Sequence, residues 1–179
     1  MDIEAEVRSF ITQDEYDRLL SYFQTHATLQ VDDEQETWYF DCDQDVRIQK
    51  NTQYSKIWMK KGNMHDDARE EVEIKVDIKD FDKLKQLFET LGHNVQIKWL
   101  RKRMQFVWDD ITVCLDHTKG YGYILELEKM CDAQSQDATH TLLKEKLASL
   151  DIGETPKEVF AEKYNHYKKN WKRLLELSN

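Results

Sequence analysis

Residues that interrupt regular structure are scarce in this sequence. Its 179 residues include one proline and five glycines, so long disordered or linker segments are not expected. It has no apolar run of membrane-spanning length, and it opens without the basic and then apolar residues of a secretory signal. These absences, with the length, predict a single folded domain over residues 1–179 that has a sizeable core and no membrane partner.

Cysteine is also sparse. Cys42, Cys114 and Cys131 lie far apart, without a CxxC pair or other spacing typical of a metal site. An odd number of scattered cysteines is typical of reduced thiols rather than of a disulfide framework. We therefore expect a cytoplasmic protein.

Basic residues are outnumbered by acidic ones, 26 against 35, which gives a net charge of -9. This balance argues against nucleic-acid or anionic-membrane binding through overall charge. Any local cluster of basic side chains in so acidic a protein needs a specific reason.

Alternating and amphipathic patterns predict the secondary structure. About eight strands are predicted, at residues 2–11, 35–41, 45–50, 54–61, 69–77, 95–107, 110–117 and 122–130. Four helices are predicted, at residues 12–26, 80–92, 139–153 and 155–177, the first capped by Thr12 with Glu15 and the last by Thr155 with Glu158. The mostly consecutive strands predict an α+β fold with a largely antiparallel sheet, and eight strands can close into a barrel.

One face of the predicted strands is densely charged. In the first strand Glu4, Glu6 and Arg8 alternate with Ile3, Ala5 and Val7, so the charged set shares one face. The same bias recurs in later strands, where like charges lie side by side as 71/73, 126/128, 101/103 and 60/61.

This charged face has two interpretations. It can be the solvated side of a one-sided antiparallel sheet. Alternatively, because neighbouring like charges are destabilising unless something bridges them, a divalent cation bridges the carboxylates and a polyanion bridges the basic groups. The repetition over at least five strands favours the second interpretation, and a metal together with a polyanion suggests a phosphate compound.

Six sequence elements resemble, in order, those of the CYTH domain family, the triphosphate tunnel metalloenzymes. Glu4-Ala5-Glu6-Val7-Arg8 resembles the family's ExExK signature. The other elements are YFD with VRIQ (39–41 and 46–49), WMKKG (58–62), REEVE (69–73), RKRMQF (101–106) and LD with GYILELE (115–116 and 122–128). The family includes class IV adenylyl cyclases, thiamine triphosphatases and inorganic triphosphatases.

The resemblance implies a closed eight-stranded antiparallel β-barrel, a tunnel with helices packed outside, that binds a triphosphate and Mg²⁺ or Mn²⁺. Carried over by position, the implied metal ligands are Glu4, Glu6, Glu126 and Glu128. The implied phosphate-binding residues are Arg8, Arg47, Lys61, Arg101 and Arg103. The implied catalytic residues are Glu4, Glu6, Arg8 and Asp116, with Glu71, Glu73, Arg69 and Lys60 in support.

Two positions depart from the family pattern. Arg8 stands where the signature has lysine, and Gln49 stands where a second arginine is common. Lys60 and Lys61 compete for one role, and Lys61 is preferred because it precedes Gly62.

The predicted function is metal-dependent hydrolysis of a small-molecule triphosphate, either inorganic triphosphate or an organic one such as thiamine triphosphate. The first alternative is a class IV adenylyl cyclase that converts ATP to cyclic AMP and pyrophosphate. The second is a polyphosphate or nucleotide binder without catalysis. The resemblance also allows a homodimer, and no nucleic-acid partner is expected.

Overall fold

The computed structural model of the protein describes residues 3–60 and 71–177, with the side chains of residues 60 and 71 outside the description. The strands in this part of the chain are β1 (Ile3–Ile11), β2 (Thr28–Phe40), β3 (Asp45–Lys50), β4 (Ser55–Lys60), β5 (Glu71–Val76), β6 (Val95–Trp108), β7 (Ile111–Thr118) and β8 (Gly122–Cys131). The α-helices are α1 (Gln13–His26), α2 (Phe81–Thr90), α3 (Gln136–Ser149) and α4 (Lys157–Leu177), and a short 3₁₀ turn (Ile78–Asp80) precedes α2.

The strands form an eight-stranded antiparallel sheet in the order β1-β8-β7-β6-β2-β3-β4-β5. This confirms the predicted α+β class and the antiparallel sheet. Within the described ranges, hydrogen bonds do not join the edge strands β1 and β5, so the predicted closed barrel is not confirmed.

The chain divides into two compact units. The first comprises Met1–Asp32 and Lys102–Tyr167. Its core contains the apolar faces of β1 and β8, represented by Val7 and Leu127, and apolar side chains of α1 and α3, represented by Leu19 and Leu143. All four of these side chains are at most 1% exposed. Because the helices cover the apolar faces, the opposite faces of the same strands carry the charged residues.

The second unit comprises Asp33–Arg101 and Lys168–Asn179. Trp38 and Phe40 of β2 and Ile48 of β3 pack against Phe81 and Phe88 of α2. The ring of Phe40 stacks on that of Phe88, with centroids 4.3 Å apart. This small aromatic core explains why β2 and β3 also present one apolar and one polar face.

Strand β2 begins seven residues before its predicted start at residue 35. The acidic run Asp32-Asp33-Glu34 is unfavourable in strands, which is why the pattern missed this segment. In the structure Asp32 pairs with Lys102, and Asp33 accepts hydrogen bonds from the backbone N–H and hydroxyl of Thr52 at 3.1 and 2.9 Å. These partners stabilise acidic side chains in a strand, where their intrinsic propensity is low.

The capping box at the start of α1 is confirmed, with reciprocal bonds between Thr12 and Glu15. The predicted capping box of α4 is wrong in its assignment of Thr155. The Thr155 hydroxyl instead accepts the backbone N–H of Phe10 at 3.0 Å, and the Thr155 N–H donates to the Arg8 carbonyl at 3.2 Å. Thr155 therefore satisfies backbone groups on the edge of β1, which a local sequence pattern cannot reveal.

Candidate functional site

The charged face of the first unit follows from the register of its strands. Glu6 lies directly opposite Glu128, and Arg8 lies opposite Glu126, in the β1–β8 pair. On the opposite face of β1, Ala5, Val7 and Ile11 are buried in the core that includes side chains of α1 and α3. The sequence prediction that the carboxylates of β1 and β8 share one face is confirmed.

Three carboxylates converge on this face. Ligand oxygens of Glu4, Glu6 and Glu128 all lie within 4.8 Å of one another. Like charges placed directly opposite each other in a sheet are destabilising, so this arrangement favours a bridging cation. Glu126, predicted as a fourth ligand, groups instead with Glu128 and Cys114 within the same limit.

The electrostatics of Glu128 reflect this crowding. Burial, followed by the negative charges of Glu126 and Glu4, raises the pKa of Glu128 from 4.5 to about 7. A divalent cation would offset both causes, and carboxylate oxygens are the ligands that Mg²⁺ and Mn²⁺ favour. The donor set of Glu4, Glu6 and Glu128 therefore fits such an ion.

This shift predicts the pH dependence of stability in metal-free protein. In the unfolded chain Glu128 titrates near 4.5, whereas in the folded state it titrates near 7, so the folded state holds the additional proton between these values. The free energy of unfolding should therefore fall as pH rises from about 4.5 to 7, by about 3 kcal/mol from this group. Denaturant unfolding measured in a chelator should show this fall in the free energy of unfolding for wild type but not for Glu128→Gln. Identical pH profiles for the two proteins would contradict the raised pKa assigned to Glu128.

Arg103 is held by two carboxylates. Its guanidinium donates to both oxygens of Asp116 at 2.8 and 2.6 Å and to Glu126 at 3.0 Å. Burial alone would lower the pKa of Arg103, but the hydrogen bonds and charge of Asp116 and the charge of Glu126 raise it overall. Asp116, predicted as catalytic, is only 2% exposed and fixes the orientation of Arg103.

Arg8 has a different environment. Its guanidinium carbon lies 4.4 Å from the centroid of the Phe160 ring in α4. Its nearest nitrogen lies 3.8 Å from a Glu6 oxygen, which is outside hydrogen-bond distance. Arg8 thus lies on the face that carries the carboxylate cluster, but an aromatic ring rather than an acid holds it.

The second unit has its own arrangement of cations. Arg47 donates to both oxygens of Asp45 at 2.7 and 2.6 Å, and its guanidinium carbon lies 4.4 Å from the Tyr39 ring centroid. Arg101 donates to the side-chain oxygen of Gln35 through two nitrogens, at 3.0 and 2.6 Å. Two predicted phosphate-binding residues are therefore fixed in orientation within this unit.

Gln49, the second departure from the family pattern, is buried near Gln35, the residue that accepts hydrogen bonds from Arg101. Its amide nitrogen donates to the Thr37 hydroxyl at 2.8 Å and lies 3.5 Å from the Gln35 oxygen. Gln49 therefore adds a neutral contact to Gln35 where an arginine would add charge.

The predicted supporting residues divide into two groups. Glu73 accepts a hydrogen bond from Lys56 at 2.6 Å in the β4–β5 pair. Arg69 lies outside the described residues, as does Lys61, a predicted phosphate-binding residue. The side chains of Lys60 and Glu71 are outside the description.

Sequence reasoning missed three residues that the structure places in contact with, or close to, predicted site residues. Cys114 is fully buried beside Glu126 and Glu128, and burial raises the pKa of its thiol. Its place two residues before Asp116 put it on the charged face and was a usable signal. No local pattern indicated Gln35 or Phe160. Gln35 contacts Arg101, which lies 66 residues away in the sequence, and Phe160 contacts Arg8, which lies more than half the chain away.

Comparison with known proteins decides the family. A model of the CYTH domain matches residues 2–157. The chain belongs to the CYTH domain family. This confirms the resemblance on which the metal and phosphate assignments depend.

Relatives of this CYTH domain carry adenylate cyclase names. A protein of Methanocaldococcus jannaschii named "Putative adenylate cyclase MJ0240" is 34% identical over 87 residues, which are 48% of this chain and 48% of that protein. The match therefore spans about half the length of this relative.

Solved structures share the fold. The PH1012 protein of Pyrococcus horikoshii OT3 superposes with a TM-score of 0.69 at 21% identity, over 87% of this chain and 96% of that one. A Vibrio parahaemolyticus structure titled as "a putative adenylate cyclase" gives a TM-score of 0.65 at 15% identity, over 87% and 94%. Identities this low show a common fold. In the described part of this CYTH domain, every helix is too short or too polar to cross a membrane.

Proposed function

We propose that this CYTH domain is a metal-dependent hydrolase of triphosphate compounds, acting on inorganic triphosphate or on an organic one such as thiamine triphosphate. The convergence of Glu4, Glu6 and Glu128 within 4.8 Å carries this proposal. A phosphoryl-transfer site needs a cation beside basic residues, and three carboxylates with oxygens this close together can supply the ligands for one.

The carboxylates Glu4, Glu6 and Glu128 would hold Mg²⁺ or Mn²⁺, and Glu126 lies near Glu128 in the neighbouring group with Cys114. When bound, such a cation supplies charge neutralisation at phosphate oxygens and lowers the pKa of coordinated water. Glu126 also accepts from Arg103, so it links the carboxylate cluster to a phosphate-binding arginine.

The basic side chains bind and orient the triphosphate. Phosphoryl transfer depends mainly on positioning and on neutralising the phosphate oxygens. Arg103, locked by Asp116 and Glu126, presents a fixed positive group that needs no rearrangement. Arg8 offers in-plane N–H donors on the same face as Glu4 and Glu6. Arg47, Arg101 and Lys61 keep their predicted phosphate-binding roles.

The second candidate is an adenylate cyclase, which the names of relatives favour. The same carboxylates and arginines could serve it. In that reaction the ribose 3′-hydroxyl attacks the α-phosphorus and pyrophosphate leaves, whereas hydrolysis directs water to a terminal phosphorus.

Product analysis distinguishes the candidates. The purified protein would be incubated with Mg²⁺ or Mn²⁺ and, separately, inorganic triphosphate, thiamine triphosphate and ATP, and every product resolved by chromatography. We expect metal-dependent release of orthophosphate from one of the first two compounds. Cyclic AMP with pyrophosphate from ATP would establish the cyclase instead. Binding without turnover would leave a non-catalytic binder and overturn the proposal.

A further inference from the structure

We infer that Phe160 is a positioning residue that orients the Arg8 guanidinium for phosphate binding. This inference rests on the proposed function, because it assigns a task to Arg8 in triphosphate binding. Nothing in the sequence pattern connects the two residues, which the fold brings together from β1 and α4.

Hydrogen bonds from side chains and backbone fix the start of α4 against β1. Ser9 donates through its hydroxyl to the Gly153 carbonyl at 2.6 Å. Thr155 bonds both neighbours of Ser9: it donates its N–H to the Arg8 carbonyl at 3.2 Å and accepts the Phe10 N–H at 3.0 Å. Helix α4 begins two residues later, at Lys157, which places Phe160 in its first turn beside Arg8.

Packing against neighbouring side chains fixes the Phe160 ring. It stacks on Phe10 with centroids 4.3 Å apart and an interplanar angle of 25°. Tyr121 contacts Phe10 edge-on at 5.4 Å, and the Lys163 amine lies 3.9 Å from the Phe10 centroid. Phe160 is only 6% exposed. The ring that faces Arg8 is therefore part of a packed cluster and cannot turn away without disrupting it.

This contact leaves the hydrogen-bonding edge of Arg8 available. A guanidinium held over a ring uses its π face, whereas its five N–H groups point outward in the plane. In the described part of the chain, the one carboxylate within ion-pair range is Glu6 at 3.8 Å. Arg103, by contrast, already donates hydrogen bonds to two carboxylates, those of Asp116 and Glu126.

The same geometry gives a reason for arginine at position 8. A planar guanidinium stacks on an aromatic face and still donates to phosphate in two directions, while an ammonium is a point charge on a flexible stem. Arg8 stands where the family signature has lysine, and the Phe160 contact is the structural counterpart of that change.

A double-mutant cycle tests the inference. Phe160→Leu keeps an apolar side chain but removes the π face, and it would be made in wild type and in Arg8→Gln protein. The dissociation constant would be measured by calorimetry with Mg²⁺ and diimidotriphosphate, a triphosphate analogue whose N–H bridges replace the bridging oxygens and prevent hydrolysis. We expect Phe160→Leu to weaken binding about fivefold in wild type, because the Arg8 side chain must then be immobilised when the ligand binds, and less than twofold in Arg8→Gln. Phe160→Tyr should restore wild-type affinity.

Phe88→Leu is the matched control, because Phe88 stacks on Phe40 at the same 4.3 Å in the second unit. It should leave triphosphate affinity unchanged, and all variants would be compared at temperatures at which circular dichroism shows them folded. An equal loss from Phe160→Leu in both backgrounds, or no loss in either, would overturn the inference alone. Wild-type protein that binds no triphosphate would overturn the proposed function and the inference together.

Discussion

Replacing both Glu4 and Glu6 with glutamine should abolish metal-dependent turnover of triphosphate. Glutamine keeps the size of each side chain but removes the negative charge that holds the cation. Loss of an outer partner of a metal ligand alone lowers affinity or activity 10–100-fold, so losing two ligands should lower kcat/KM by more than about a hundredfold. Initial rates over a range of Mg²⁺ and Mn²⁺ concentrations measure the effect.

The fold should survive this double substitution. It removes like charges that face Glu128, so metal-free variant protein should be at least as stable as wild type. Glu145→Gln with Glu158→Gln is the matched control, because both carboxylates are exposed on helices, and it should keep full activity. Full activity in the Glu4→Gln, Glu6→Gln protein would show that the carboxylate cluster takes no part in the reaction.

Replacing Arg103 with methionine should have the largest effect on stability. Asp116 is 2% exposed, and the Glu126 side chain is 15% exposed, so the substitution leaves two largely buried carboxylates without their shared cation. Removing one partner of a buried ion pair typically destabilises by about 3–5 kcal/mol. Chemical denaturation should show a loss of this size, and triphosphate binding should fall with it.

Lys102 provides the control for Arg103. It immediately precedes Arg103 on the same strand, and it pairs with Asp32 through side chains that are 39% and 50% exposed. Exposed ion pairs contribute about 0–1 kcal/mol, so Lys102→Met should change the free energy of unfolding by less than 1 kcal/mol. Equal losses in Arg103→Met and Lys102→Met would contradict the structural role assigned to Arg103.

The strand faces could be predicted from the sequence because they depend on a period of two. Once Val7 and Leu127 are placed in the core, the alternation puts Glu6 and Glu128 on the other face without further information. The antiparallel register then brings them opposite each other. For this reason the carboxylate cluster was predictable, whereas the grouping of Glu126 with Cys114 required coordinates.

Contacts between distant elements could not be predicted in this way. Thr155 has the local pattern of a helix cap, but the unpaired edge of β1 provides a competing partner. The environments of Arg101 and Arg8 likewise depend on Gln35 and Phe160, which neither spacing nor charge pattern connects to them. The early start of β2 was missed because tertiary pairing outweighed the low strand propensity of its acidic residues.

A calorimetric titration of diimidotriphosphate, a triphosphate analogue that cannot be hydrolysed, tests the central claim most directly. It would be run on wild type and on the Glu4→Gln, Glu6→Gln protein, with Mn²⁺ and with a chelator. The account predicts saturable binding to wild type that strengthens with Mn²⁺, and loss of this metal dependence in the variant. Absence of triphosphate binding to wild type under both conditions would mean that the paired carboxylates and arginines form only a solvated strand face.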